Sequence, residues 1–200
     1  MFNASCGVYP LSPQTPRPMN LIVLDLEYNQ PSRAIIQIGA VLVDAPHITP
    51  FFDEHVNPEE PLDPYIQRLT GIRADQLEQA ETLGPVLEDL WETLPSGPIT
   101  LGGWGDDIPK LLSDSHKIGV NPPPIRNLDL STLWDLVRIW DHKDKAPRTC
   151  GLDRLLDFYG LDFEGKRHNA LDDAYMTGKL LLRMHEEVLA ALGPSYDACL

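Results

Sequence analysis

Some stretches of the chain have the hydrophobic pattern of a β-strand, and others have that of an α-helix. The order of these stretches predicts an α/β fold. Short apolar runs bounded by turn residues predict five strands, at residues 21–24, 34–43, 48–56, 99–101 and 125–129. Apolar residues at helical spacing predict helices at 64–70, near 86–94, and at 107–115, 132–140, 152–159 and 171–191. Three strands in succession, followed by alternating helices and strands, favour a mixed five-stranded sheet flanked by helices.

The first 18 residues differ from the rest of the chain, because they hold four prolines and little apolar periodicity. We expect residues 1–18 to form a flexible N-terminal arm. Residues 19–200 show no internal repeat and no linker, and a chain of this length suits one domain with a sizeable core. The sequence therefore predicts a single domain preceded by an arm.

Apolar runs and cysteines indicate the compartment. No apolar run approaches the roughly 20 residues that cross a bilayer, so no membrane contact is expected. The N-terminus has no basic start followed by an apolar stretch, which argues against a secretory signal. Cys6, Cys150 and Cys199 are scattered without CxxC spacing, so they favour neither a disulfide framework nor a zinc site. The expected location is the cytoplasm.

The net charge of −14 restricts the possible partners. An extended basic surface is needed to hold a long stretch of nucleic acid by its phosphates, and this chain has no excess of basic residues to build one. A small pocket that binds one chain end, with cations bound among its acidic residues, is still compatible with this charge.

Two carboxylates stand at the end of the first predicted strand. Asp25 and Glu27 are two residues apart, so in a strand both side chains project from one face while Leu26 points to the other. Like charges this close favour a cation between them, and oxygen ligands favour Mg²⁺ or Mn²⁺. The Asp-x-Glu pair alone is a weak signal, because exposed strand ends often carry such pairs.

A second acidic pair follows the glycine-rich end of the fourth predicted strand, in the segment GGWGDD at residues 102–107. Asp106 could cap the helix that begins there, and the glycines could serve the turn alone. A phosphate-binding loop is disfavoured, since no GxxxxGK[ST] pattern is present. The alternative is that Asp107 or Asp106 is a metal ligand.

The third element, HNALDD at residues 168–173, enters the last helix. Asn169 can cap that helix, and Asp172 shares a face with basic residues, which predicts exposure to solvent. Asp173 instead shares its face with apolar residues and therefore needs a partner, for which a metal ion is one candidate. His168 could act as a base, although a lone histidine is more often structural.

Together these motifs resemble those of the DEDDh family of 3′→5′ exonucleases, whose fold is ribonuclease-H-like. The segments IIQIGA at 35–40 and LTGI at 69–72 resemble the family between its motifs, so the likeness covers about residues 20–192. Within the family, LTGI and the Trp-Gly-Asp stretch are most similar to the histone-mRNA 3′ exonuclease branch.

The resemblance implies a role for each matched residue. Two divalent ions, Mg²⁺ or Mn²⁺, would be held by Asp25, Glu27, Asp107 and Asp173, with His168 as general base. Asp107 is preferred over Asp106 because the apolar spacing after it matches the family. The family's substrate contacts would map to Leu26, Tyr28, Trp104, Lys166 and Arg167. The implied substrate is a single-stranded RNA or DNA 3′ end, with RNA favoured, and the products are 5′-mononucleotides.

Two positions depart from the family pattern. Tyr28-Asn29 replaces a small residue and a threonine, and Gln37 stands where many members carry glutamate. Neither change removes a catalytic group, but both could alter which substrate is bound.

Three alternatives remain from the sequence. A catalytically weak binding module of the same fold would be expected to lose a ligand or the histidine, and this chain keeps all five residues. A ribonuclease-H-like endonuclease would cut within a strand whose 3′ end is blocked. A proofreading-type exonuclease would require DNA.

Overall fold

The computed structural model describes residues 20–141 and 151–192, which form a five-stranded sheet and seven helices. The strands are β1 (Asn20–Tyr28), β2 (Ile35–Asp44), β3 (His47–His55), β4 (Ile99–Gly103) and β5 (Ile125–Asp129). The helices are α1 (Pro64–Thr70), α2 (Ala74–Gln79), α3 (Leu83–Thr93), α4 (Asp107–Ile118), α5 (Leu130–Asp141), α6 (Leu152–Tyr159) and α7 (Ala170–Leu192).

The sheet has the order β3-β2-β1-β4-β5. The first three strands are antiparallel neighbours, and β4 and β5 run parallel to β1. This topology confirms the predicted mixed sheet flanked by helices. Because β1 and β4 are parallel, their carboxyl ends lie at the same end of the sheet. Residues that follow these two strands therefore meet at the same end of the sheet.

The two faces of β1 separate its apolar residues from its acidic pair. Ile22, Leu24 and Leu26 pack with residues of α3 and α4 in the main core. Val23 lies on the other face, in a second cluster with residues of α5 and α7. Strand alternation carries Asp25 and Glu27 onto this second face. The acidic pair is therefore directed toward α7.

The first turn of α7 lies directly on β2. Gly39, the register partner of Asp25, has no side chain, and a Cβ there would overlap the backbone nitrogen of Leu171 and the carbonyl carbon of Ala170. Gln37, fully buried two residues earlier, accepts the Ala170 N–H at 3.2 Å and donates to Asp53 at 2.8 Å. These contacts fix the beginning of α7 beside the end of β1.

Local capping signals located several helix ends correctly. Asp63 caps α1 by accepting from two backbone N–H groups, and Gly71 ends it in the left-handed conformation at φ 69°. Helix α4 continues past residue 115 to Ile118, where Gly119 ends it in the same conformation. Helix α2 was not predicted, because six residues are too few to show a helical period.

Some expectations fall outside the described residues. The predicted arm at residues 1–18 is one of them, and Cys6, Cys150 and Cys199 also lie outside the described residues. In the part of the chain that the structure does describe, none of the helices has the length and apolar character needed to cross a membrane.

Candidate active site

Asp25 and Glu27 form the centre of an acidic site at the end of β1. Burial raises the pKa of Asp25 well above its usual range, and the nearby carboxylates of Asp107 and Asp173 raise it further. Burial also raises the pKa of Glu27 to about 7, again with contributions from those two carboxylates. Asp25 therefore lies within electrostatic reach of every other acidic residue of the predicted set.

Asp107 begins α4, and its side chain turns inward. Its exposed fraction is 8%, and its Oδ1 accepts a hydrogen bond from the Tyr28 hydroxyl at 2.7 Å. Burial raises the pKa of Asp107 to about 6, although the Tyr28 hydrogen bond acts in the opposite direction. The neighbouring carboxylate behaves differently. Asp106 is exposed and is bound by both terminal nitrogens of Arg33, at 2.8 and 3.2 Å.

The start of α7 brings His168 and Asp173 to Glu27. Asn169 caps the helix by accepting the Asp172 N–H at 3.2 Å, as predicted. Asp173 Oδ2 accepts the backbone N–H of His168 at 3.0 Å, and His168 has a left-handed φ of 58°. One ligand atom from each of Glu27, His168 and Asp173 lies within 4.8 Å of the other two.

The donor set has the chemistry of a divalent-cation site. Burial raises the pKa of Asp173 to about 6, so four carboxylates in this site ionise less readily than usual. Their mutual repulsion is relieved by a cation, and carboxylate oxygens are the ligands that Mg²⁺ and Mn²⁺ prefer. The residues therefore fit a hard divalent ion better than a softer metal.

Comparison with known proteins identifies the family. The RNase_T family model, described as an exonuclease, matches residues 22–181, from within β1 to the middle of α7. The chain belongs to the RNase_T exonuclease family. The resemblance inferred from the motifs is thereby confirmed.

Relatives of this RNase_T chain include both DNA- and RNA-directed proteins. It is 28% identical to the PolC-type DNA polymerase III of Caldanaerobacter subterraneus subsp. tengcongensis over 84% of its own length and 12% of the polymerase. It is 26% identical to 3′-5′ exoribonuclease 1 of Mus musculus over 76% of its length and 47% of that protein. The chain therefore corresponds to less than half of each relative.

A solved structure shares the fold of this RNase_T domain. It is a 3′-exonuclease described for its 3′-end specific recognition of a histone mRNA stem-loop. The TM-score is 0.71 at 22% identity, with 84% of this chain and 82% of that chain covered.

Within the RNase_T site, the residues expected to contact substrate are placed unequally. Leu26 is 5% exposed and packs in the main core, and Trp104 is half-buried against the clusters beneath α5 and α7. The Lys166 side chain lies against Gly71, where α1 ends. Arg167 pairs with Asp153 at 2.8 Å and lines a pocket with His168 and Asp173. Of the set, Arg167 shares a pocket with the predicted base.

The expectation that Asp172 faces solvent is wrong. Its side chain is half-buried, and its Oδ2 accepts the Lys166 backbone N–H at 2.8 Å. A Cβ at Gly165, which has a φ of 91°, would overlap the Asp172 carboxylate. Asp172 therefore fixes the loop before α7. It binds the backbone N–H of Lys166 because that group lies closer to its carboxylate than the basic residues further along the helix.

The sequence did not predict the contacts that several residues around the site make. Asn29 is buried and joins the β1–β2 loop to the segment before α1, donating to Glu60 at 2.6 Å and accepting the Asp63 N–H at 2.8 Å. Arg154 lines the same pocket as Arg167 and His168, with a volume of about 320 Å³. Gln37 was noted in the sequence only as a departure from the family pattern, and the structure pairs it with Glu27 across β1 and β2.

The raised carboxylate pKa values predict that the metal-free protein loses stability as pH rises. Because the pKa of Glu27 lies near 7 in the folded protein and 4.5 is its ordinary value, the fold retains this proton more tightly than the unfolded chain. The contribution of Glu27 to the free energy of unfolding is therefore greatest below pH 4.5, and it is lost as the pH rises through 7. Between pH 5.5 and 8, Glu27 alone should contribute about 2 kcal/mol to this loss.

Chemical denaturation in EDTA at both pH values measures the effect. Glu27→Gln should reduce the difference by that amount, whereas Glu88→Gln, an exposed position on α3, should leave it unchanged. Saturating Mn²⁺ should restore more stability at pH 8 than at pH 5.5, because ions and protons compete for the same oxygens. A wild-type protein that is more stable at pH 8 than at pH 5.5 in EDTA contradicts the prediction.

Proposed function

We propose that the protein is a metal-dependent 3′→5′ exonuclease that releases 5′-mononucleotides from single-stranded ends, with RNA favoured over DNA. The observation that carries this proposal is the meeting of four carboxylates with raised pKa values and a histidine at one end of the sheet of an RNase_T domain. An activity needs such a group of residues in addition to the fold.

In this proposal, two divalent ions would be held by Asp25, Glu27, Asp107 and Asp173. When bound, the ions supply a more acidic water and neutralise charge on the scissile phosphate. His168 accepts the proton of the attacking water. The oxygen of that water forms a bond to phosphorus, and the bond from phosphorus to the 3′ oxygen of the preceding nucleotide breaks. The departing 3′ oxygen takes a proton from solvent, so the products are a 5′-mononucleotide and a chain shortened by one residue with a free 3′ hydroxyl.

The protein's own residues orient the base. The Asp173 carboxylate accepts the backbone N–H of His168, and the left-handed backbone at His168 directs its side chain from a short loop. Asn169 and Gln37 hold the following helical turn through the Asp172 and Ala170 N–H groups. His168 is exposed, which suits a group that must reach a water molecule.

The RNA preference rests on similarity and is the finer part of the proposal. It is supported by the exoribonuclease relatives and by the LTGI segment, whose Gly71 lies against Lys166. The net charge of −14 supports weak, short-range binding, since two divalent ions offset only part of it. A proofreading-type DNA exonuclease is the second candidate, and the PolC-type relative favours it.

A labelled-oligonucleotide assay tests the function. Single-stranded RNA and DNA oligomers of the same sequence, labelled at either end, are incubated with the protein in Mg²⁺, Mn²⁺, Ca²⁺ or EDTA. We expect 5′-labelled substrates to shorten one nucleotide at a time and 3′-labelled substrates to release labelled mononucleotide first, with RNA cleaved faster. Cleavage of an oligomer with a blocked 3′ end indicates an endonuclease, and full activity in EDTA excludes the proposal.

Charge reversal beside His168 should weaken substrate binding. Arg167 and Arg154 line the pocket that contains His168 and Asp173, so the phosphate of an incoming strand would pass close to them. Arg167→Glu should raise KM about tenfold with a smaller change in kcat, and Arg154→Glu should act in the same direction. Lys117→Glu on α4 is the control, because it changes net charge equally at an exposed position. An equal rise of KM in all three variants indicates a general charge effect instead.

A further inference from the structure

Tyr28 connects the first and second acidic motifs. It is the last residue of β1, directly after Glu27, where the pairing with β2 shifts register. Its ring packs against the main core, and its hydroxyl donates to Asp107 Oδ1 at 2.7 Å. A hydroxyl offers one proton, so the Asp107 carboxylate receives that donor on one of its two oxygens.

Arg33 lies over the ring of the same tyrosine and binds the neighbouring carboxylate, Asp106. The guanidinium carbon of Arg33 lies 4.9 Å from the centre of the Tyr28 ring. The two terminal nitrogens of the same arginine bind both oxygens of Asp106. Tyr28 at the end of β1 and Arg33 in the β1–β2 loop thus hold two adjacent aspartates differently. Arg33 pairs with Asp106 at the surface, whereas the neutral hydroxyl of Tyr28 donates to the buried Asp107.

We propose that Tyr28 is a positioning residue for the metal site, which holds Asp107 by Oδ1 so that its other oxygen is presented to a divalent ion. The proposal rests on the proposed metal-dependent function. Hydrogen bonds to ligating carboxylates fix their orientation, and the loss of such a partner typically costs about 10- to 100-fold in metal affinity. Arg33 contributes by keeping Asp106 outside the site.

This role differs from a substrate contact. A tyrosine that stacks on a base acts through its ring, and phenylalanine preserves that function. A positioning tyrosine acts through its hydroxyl, and phenylalanine removes that function while keeping the core packing of the ring. Metal binding in the absence of nucleic acid therefore separates the two roles.

Titration of the metal-free protein with Mn²⁺, followed by electron paramagnetic resonance, tests the proposal. Tyr28→Phe should weaken Mn²⁺ binding about tenfold. Tyr65→Phe, a tyrosine on α1 with an exposed fraction of 60%, should bind as the wild type does. In an Asp107→Asn background, Tyr28→Phe should cause no further loss, because the hydroxyl acts through that carboxylate.

Three results would overturn the proposal: unchanged Mn²⁺ affinity in Tyr28→Phe, an equal loss with and without Asp107, or a rise in KM for an oligonucleotide with metal affinity unchanged. A circular dichroism spectrum of Tyr28→Phe checks that the fold is retained, and Asp107→Asn alone, which removes the ligand and leaves the tyrosine, provides an independent second variant. If the Mn²⁺ results hold but no oligonucleotide is shortened, the proposed function fails and the positioning role stands.

Discussion

Asp25→Asn is expected to reduce nucleotide release at least about 1,000-fold, the largest loss of any single substitution in the site. Asp25 is the carboxylate whose pKa is raised by all three of its acidic neighbours after burial itself, so it lies central to the group. Asparagine keeps the size and removes the charge that a divalent ion needs. Single-turnover cleavage of a 5′-labelled RNA oligomer at saturating Mg²⁺ measures the effect.

The asparagine variant should remain folded, and it should be more stable than the wild type in EDTA at pH 8. Removing one of four crowded negative charges relieves repulsion in the metal-free protein. Asp75→Asn serves as the control, because this exposed aspartate pairs only with Arg73 among the ion pairs of the described chain. A variant that keeps more than about a tenth of the wild-type rate would exclude Asp25 from the reaction.

Gly39→Ala is expected to lower the free energy of unfolding by more than about 4 kcal/mol. The added methyl group would overlap the backbone of Ala170 and Leu171, and backbone atoms cannot swing aside as a flexible side chain can. The first turn of α7 would have to move away from β2, which also separates Asp173 from Glu27. Chemical denaturation monitored by tryptophan fluorescence measures the loss.

Gly84→Ala provides a matched control for that substitution. Gly84 lies in the first turn of α3, and a Cβ there meets nothing within 4 Å. Alanine should stabilise this helix by about 0.5–1 kcal/mol because it restricts the unfolded chain. Equal destabilisation by both substitutions would show that the contact between β2 and α7 is not the cause.

Features encoded by neighbouring residues could be predicted from the sequence. The shared face of Asp25 and Glu27 follows from the strand period, and the ends of α1 follow from Asp63 and Gly71, because each depends on only a few adjacent positions. Ordered motifs then linked these local signals to one family. The acidic residues of the site needed that link, since no spacing rule joins Asp25 to Asp173 across the chain.

Features that depend on contacts between distant segments could not be predicted. Arg33 lies 73 positions from Asp106, and Gln37 lies 133 positions from Ala170, so their hydrogen bonds exist only after the sheet and helices assemble. Asp172 was misplaced for a related reason. Its position on a helix face gave the direction of the side chain but not the backbone N–H that the preceding loop brings to it.

Because Asp25 pairs with Gly39, the site forms only when β1 and β2 pair in the correct register. A shift of β2 by one residue would place Ile38 or Ala40 beside Asp25 and would turn the Gln37 side chain to the opposite face of the sheet. Helix α7 would then lose its close packing on Gly39 and its hydrogen bond to the buried Gln37 side chain. A misaligned hairpin therefore cannot present the full set of carboxylates to a metal ion. During refolding, a divalent cation should therefore bind only to molecules in which β1 and β2 are paired in the native register. Cation binding should appear after this pairing has formed.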